Sequence, residues 1–253
     1  PGITKTESAV NNLYELEARL DAAIQVESLS EPVVQQLQAF QQVRLNNLLF
    51  YYKNPQGEIL FTSGPHNLDI RRGEMLFVVG GNGSGKSTFL KLLTGLYQQE
   101  QGNIYVDKQV IEREHYSAYR SLFSIVFTDF HLFKRLYGLT EVDANDIKQW
   151  LQVMQLDKKT SYQNNSFTNV DLSTGQRKRL AFIIAVLKNR PICIFDELAA
   201  DQDPNFRQRF YEEILPGLKA QGRTVIVVTH DDQYFHLADR ILKLQDGQIL
   251  SEN

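Results

Sequence analysis

The spacing of apolar positions changes several times along the chain. Val10, Leu13, Leu16 and Leu20 recur at three- and four-residue intervals, with Glu15, Glu17, Arg19 and Asp21 between them. That period predicts an amphipathic helix over about 8–25. Between 38 and 70 the runs become short and β-rich, and 43–52 and 58–62 flank the turn-forming Asn54-Pro55-Gln56-Gly57. This predicts an antiparallel layer. Met75–Val79 is continuously apolar, as a strand covered on both faces must be, and a glycine-rich loop and a helical stretch at 88–96 follow it. Residues 112–170 mix aromatic and polar side chains and read as mainly helical, above all at 143–156. A helix at 176–189 stops before Pro191, and buried strands are expected at 192–195 and 225–229 with a helix at 205–218 between them. A hairpin turning at Asp246-Gly247 closes the pattern at 240–250. Strands alternating with helices predict an α/β fold with a mostly parallel central sheet, an N-terminal antiparallel β-layer and a helical subdomain at about 112–175.

Composition changes this picture little. Of 253 residues, 42% are hydrophobic and 23% charged, the balance of an ordinary globular domain. A net charge of -3 gives no overall reason to bind nucleic acid or an anionic membrane. The single cysteine, Cys193, excludes an intrachain disulfide and points to a reducing compartment. No apolar stretch approaches the roughly 20 residues of a membrane-spanning helix. The chain starts at Pro1, not methionine, and is expected to be a piece of a longer protein.

The loop after Met75–Val79 carries the first chemistry. Gly80-Gly81-Asn82-Gly83-Ser84-Gly85-Lys86-Ser87 satisfies G-x-x-x-x-G-K-[ST]. Small residues let backbone N–H groups turn inward around phosphates, and the next helix presents its positive N-terminus. Lys86 is expected on the β- and γ-phosphates and Ser87 on Mg²⁺, with Thr88 beside them. A glycine-rich turn without nucleotide is the bland alternative, and the intact Gly85-Lys86-Ser87 argues against it. Downstream, Ile192-Cys193-Ile194-Phe195 ends in Asp196-Glu197. Ligands of open α/β sheets gather at the carboxyl ends of strands. Asp196 is therefore expected to hold Mg²⁺ and Glu197 to polarise a water for attack on the γ-phosphate. His230 ends the strand 225–229 and is expected near the same phosphate or water.

Leu172-Ser173-Thr174-Gly175-Gln176 precedes a helix beginning Arg177-Lys178-Arg179. Ser173 suits a plain N-cap. In order after Gly80–Ser87 and before Asp196-Glu197, however, the string resembles the L-S-G-G-Q signature of the ATP-binding cassette (ABC) ATPases. The resemblance runs from about residue 50 to 247. It implies a P-loop nucleotide hydrolase that binds ATP and Mg²⁺, with Ser173, Gly175 and Gln176 facing the γ-phosphate held by a second copy in an ATP-dependent homodimer. It also implies adenine packing for Tyr52, whose rival role is filling the β-layer, and a partner contact for Asp203. Two positions depart from the family pattern. Thr174 replaces a glycine, and Thr128 stands where the family has a glutamine, so Thr128 or Asp129 is left to meet the metal.

The strings at 123–133, 199–204 and 230–235 resemble the bacterial cyclic-peptide and siderophore-peptide export branch. In that branch a six-helix membrane domain precedes such an ATPase. The resemblance therefore implies a connector at 1–37 from a fused upstream membrane domain and an ATPase domain at 38–253. It also implies a place on the cytoplasmic face of the bacterial inner membrane, and a peptide cargo handled by the membrane domain. The alternatives are a soluble ABC ATPase of translation control or DNA maintenance, and a clamp that binds ATP without hydrolysing it. Those soluble ATPases usually carry paired cassettes, coiled-coil insertions or basic surfaces, none of which this sequence offers, and Glu197 with His230 argues against the clamp.

Overall fold

A computed structural model describes residues 31–137 and 142–252. The helix expected at 8–25, and residues 1–30 of the connector expected at 1–37, lie outside the described residues. Helix α1 (Glu31–Gln38) leads into the long strands β1 (Gln42–Lys53) and β2 (Ile59–Arg71), which pair antiparallel. Their turn is closed by Asn54, whose Oδ1 accepts from the backbone N–H groups of Gln56 at 3.1 Å and Glu58 at 2.8 Å. Strands β4 (Gln101–Val106) and β5 (Gln109–Val110) extend this layer in the order β2-β1-β4-β5.

The second sheet contains β3 (Met75–Val79), β6 (Phe123–Val126), β9 (Ile192–Asp196), β10 (Thr224–Val228), β11 (Arg240–Gln245) and β12 (Gln248–Glu252). Its order is β12-β11-β3-β10-β9-β6, parallel except for the final hairpin. Leu76 and Val78 enter one core, shared with Phe89, Leu90 and the inner face of the antiparallel layer, where Leu37 and Phe40 are also buried. Met75 and Phe77 point the other way, into a core shared with Phe182, Phe195 and Phe210. Covering on both faces explains why these strands read as unbroken apolar runs.

The helices connect these strands: α2 (Lys86–Leu93) after β3, α3 (Tyr116–Arg120) before β6, and α4 (Ala144–Val153) and α5 (Thr174–Leu187) before β9. Then α6 (Pro204–Arg209) passes through a π turn at Phe210–Ile214 into α7 (Leu215–Ala220). The mainly helical reading of 112–170 needs correction. That stretch supplies β6 to the parallel sheet and a small hairpin, β7 (Tyr162–Gln163) with β8 (Ser166–Phe167). Phe123-Ser124-Ile125-Val126 is too short to display a period, and only pairing with β9 makes it a strand. Among the described residues, no helix is long and apolar enough to cross a membrane.

Candidate active site

Parallel register sets the site. Val228 stands opposite both Val78 and Asp196, and Val126 stands opposite Phe195. The carboxyl ends of β3, β10, β9 and β6 therefore share one edge of the sheet, where such folds gather their ligands. From that edge come the phosphate loop, His230, the Asp196-Glu197 pair and Thr128. A cleft of about 540 Å³ opens there, lined by Asn82 to Thr88, Tyr52, Phe61, Thr128 and Glu197, while Asp196 and His230 stand behind it against Ser87 and Glu197.

Gly85 caps α2 with φ 96, a backbone a side chain would strain. The Lys86 ammonium, 7% exposed, donates to the carbonyls of Gly80 at 2.9 Å and Gly81 at 3.1 Å. It lies 3.9 Å from Glu197 Oε1. Ser87 Oγ donates to Asp196 Oδ2 at 3.3 Å, and Thr128 Oγ1 donates to the Asp196 carbonyl at 3.3 Å. Burial raises the Asp196 carboxyl pKa, hydrogen bonding from Thr128 and Ser87 opposes that, and the Glu197 charge adds to the rise.

Glu197 sits at φ 50, a left-handed conformation that costs a glutamate on the order of 1 kcal/mol and that clusters at functional positions. Three contacts hold it there. Its N–H donates to Val228 O at 3.1 Å, its carbonyl accepts from Lys178 Nζ at 2.8 Å, and its carboxylate meets His230 Nε2 at 3.2 Å. Lys178 also pairs with Asp201 at 2.6 Å. Tyr52 hydrogen-bonds Tyr97 through their hydroxyls at 2.6 Å and meets Phe50 edge-on at 5.2 Å, leaving it 36% exposed.

Ser173, Gly175 and Gln176 stand apart from this cleft. Ser173 Oγ accepts the Gln176 N–H while Gln176 Oε1 accepts the Ser173 N–H, a reciprocal cap on α5. Beside them Gln202 Nε2 donates to Gly175 O at 3.0 Å. Arg179 joins Gln202 at 2.7 Å and Asp203 at 2.8 Å while stacking on Phe206 at 3.6 Å. The structure thus gathers the phosphate loop with Asp196, Glu197 and His230 at one place, and sets the signature, expected to face a second copy's nucleotide, beside the 201–203 loop. Sequence reasoning missed Phe61, Lys178 and Arg179. Phe61 faces Tyr52 across the β1–β2 pair, a long-range register that local pattern does not encode.

The donor set suits a nucleoside triphosphate. Among the described residues Ser84 Oγ is buried in the loop without a partner, and the Lys86 ammonium rests on loop carbonyls with Glu197 more distant. The oxygens of Ser87 and Asp196 are the hard donors that Mg²⁺ prefers.

The ABC transporter family model matches residues 64–200. The chain is 46% identical over 214 residues to the ATP-binding protein SyrD of Pseudomonas syringae pv. syringae, a match covering 83% of this chain and 38% of SyrD. It is 31% identical to the macrolide export ATP-binding/permease protein MacB of Bartonella quintana, over 74% of this chain and 30% of MacB. It therefore spans about a third of the length of these relatives. Among solved structures, a bacterial Atm1-family ABC exporter with ATP bound superposes with a TM-score of 0.70 at 24% identity, over 85% of this chain and 39% of that one. The dimeric cassette MJ0796, bound to ADP and Pi, gives 0.69 at 24%, over 83% and 97%. With its phosphate loop, acidic strand end and signature all in family order, the chain belongs to the ABC transporter family as one of its ATP-binding ATPase domains.

Proposed function

We propose that this domain hydrolyses ATP in a head-to-tail homodimer and powers a bacterial exporter of peptides, cyclic or siderophore-like. One observation carries the dimer. The cleft is lined by the phosphate loop and Glu197 but by none of Ser173, Gly175 and Gln176, so the second anion-binding helix N-terminus is free to serve another copy's nucleotide.

Within each site, loop N–H groups and Lys86 bind the phosphates, and Tyr52 with Phe61 offers aromatic faces to the adenine. Ser87 and Asp196, with Thr128 beside them, hold Mg²⁺, which when bound neutralises phosphate charge. Glu197 polarises the attacking water, and His230 fixes the Glu197 carboxylate. The strained backbone at Glu197, held from both sides by Val228 and Lys178, keeps that carboxylate oriented.

Export is supported by MacB's likeness, and the peptide cargo by the strings at 123–133, 199–204 and 230–235. The short span against these relatives supports a fused membrane domain, with 1–37 as connector, 38–253 as the ATPase domain and the cytoplasmic face of the inner membrane as its place.

The test is ATP hydrolysis with Mg²⁺ against protein concentration, beside Glu197→Gln. A rate per subunit that climbs with concentration, and falls about 10²–10⁴-fold in the variant, is expected. A concentration-independent rate would refute the shared site, and wild-type turnover by Glu197→Gln would refute the base.

A further inference from the structure

We propose that Gly247, at the turn of the C-terminal hairpin, is a positioning residue for the phosphate loop. This rests on the reading that the loop binds ATP phosphates. A loop that turns its N–H groups inward to a phosphate turns carbonyls outward, and these need donors from elsewhere.

The hairpin supplies one. Gly247 N–H donates to Ser84 O at 2.9 Å, while Gly247 O accepts from Gly64 N–H at 2.7 Å. One residue of the β11–β12 turn therefore bridges the phosphate loop and strand β2.

The fit leaves no room for a side chain. Gly247 has φ 76, and a Cβ built there would overlap the Thr62 carbonyl oxygen and lie 3.0 Å from Phe61 Cζ. Seen from the loop, a Cβ on Gly85 would lie 3.1 Å from Gly247 Cα and 3.0 Å from Phe61 Cζ. A Cβ on Gly80 would overlap the carbonyl oxygen of Leu244, on the strand leading to the same turn. Both ends of the loop are thus backed by the final hairpin. A side chain at 247 collides with Thr62 and Phe61 of β2, and a turn that recoils from them pulls the Gly247 N–H away from Ser84 O, in the segment that opens the helix presenting Lys86.

Gly57 is a matched control. It also sits in a hairpin turn at positive φ (85), but none of the described residues comes within 4 Å of a Cβ built there. In the full 253-residue chain, Gly247→Ala and Gly57→Ala are compared with wild type for ATP affinity by calorimetry and for melting temperature. Both variants strain the backbone, so both are expected to melt lower. Only Gly247→Ala is expected to weaken ATP, by about tenfold or more. Unchanged affinity in Gly247→Ala, or equal losses in the two variants, overturns the proposal.

Amide hydrogen exchange on the wild type reads the same contact without a variant. ATP is expected to slow exchange at Gly247 and leave Gly57 unchanged, and an unresponsive Gly247 overturns the proposal even if Gly247→Ala fails to fold. A wild type that binds no ATP would instead refute the functional reading of the cleft, and this inference with it.

Discussion

Lowering the pH from 7 to 5 should destabilise this domain through one histidine. His66 lies on β2 with no exposed surface. Its Nε2 is 2.9 Å from Ser63 Oγ, its Nδ1 has no partner among the described residues, and its ring meets Phe89 of the phosphate-loop helix edge-on at 5.0 Å. Burial alone holds its pKa at about 4, against an ordinary 6.5. Below pH 6.5 the unfolded chain takes up a proton at this histidine that the folded chain refuses until about pH 4. Stability is therefore present in full above pH 6.5 and falls by about 1.4 kcal/mol per unit between those values, or about 2 kcal/mol at pH 5. Carboxylates titrate in the same region, so the effect must be isolated against His66→Gln, which can still hydrogen-bond Ser63 but carries no proton switch. Urea unfolding followed by Trp150 fluorescence, without nucleotide, gives the stability of each protein at pH 7 and pH 5. The wild type should lose about 2 kcal/mol more than the variant. Parallel losses in the two proteins would refute the reasoning and mean that the ring is protonated where it lies.

Lys86→Ala removes the ammonium that rests on Gly80 and Gly81 and should weaken ATP by about tenfold to a hundredfold in direct binding, the scale of a charge-assisted hydrogen bond. Undiminished affinity would exclude Lys86 from the phosphates. Tyr52→Ala should cost about 1–3 kcal/mol of ATP affinity, as loss of one base-stacking platform does, while leaving triphosphate binding alone unchanged. An ATP affinity equal to wild type would leave Tyr52 as a packing residue beside Tyr97. Thr128→Val deletes the hydroxyl on Asp196 O and should raise the Mg²⁺ concentration for half-maximal hydrolysis by about tenfold. An unchanged Mg²⁺ titration would show that the glutamine's replacement here does not serve the metal.

Much of the site was legible before folding because its chemistry is local. The phosphate loop needs its glycines, lysine and serine in one continuous turn, so Gly80–Ser87 declares itself, and adjacency alone pairs Asp196 with Glu197. The covered strands Met75–Val79, Ile192–Asp196 and Thr224–Val228 were equally visible, because burial on both faces demands unbroken apolar runs. The turns at Asn54-Pro55-Gln56-Gly57 and Asp246-Gly247 follow from side chains that bond their own backbone or tolerate positive φ.

What the sequence by itself determined was therefore a set of local pieces and their chemistry: the loop, the acidic strand end, the cap at Ser173 and the hairpin turns. Tertiary structure decided which of them meet. Strand order brought Val78, Val228 and Asp196 side by side and drew Phe123–Val126 into the sheet. Cross-strand register put Phe61 opposite Tyr52, and packing set Lys178 under Glu197 and Gly247 behind Ser84. The physical reason is range. Period, turn chemistry and capping act over a few residues, whereas these contacts join segments far apart in the chain and exist only once both cores have closed.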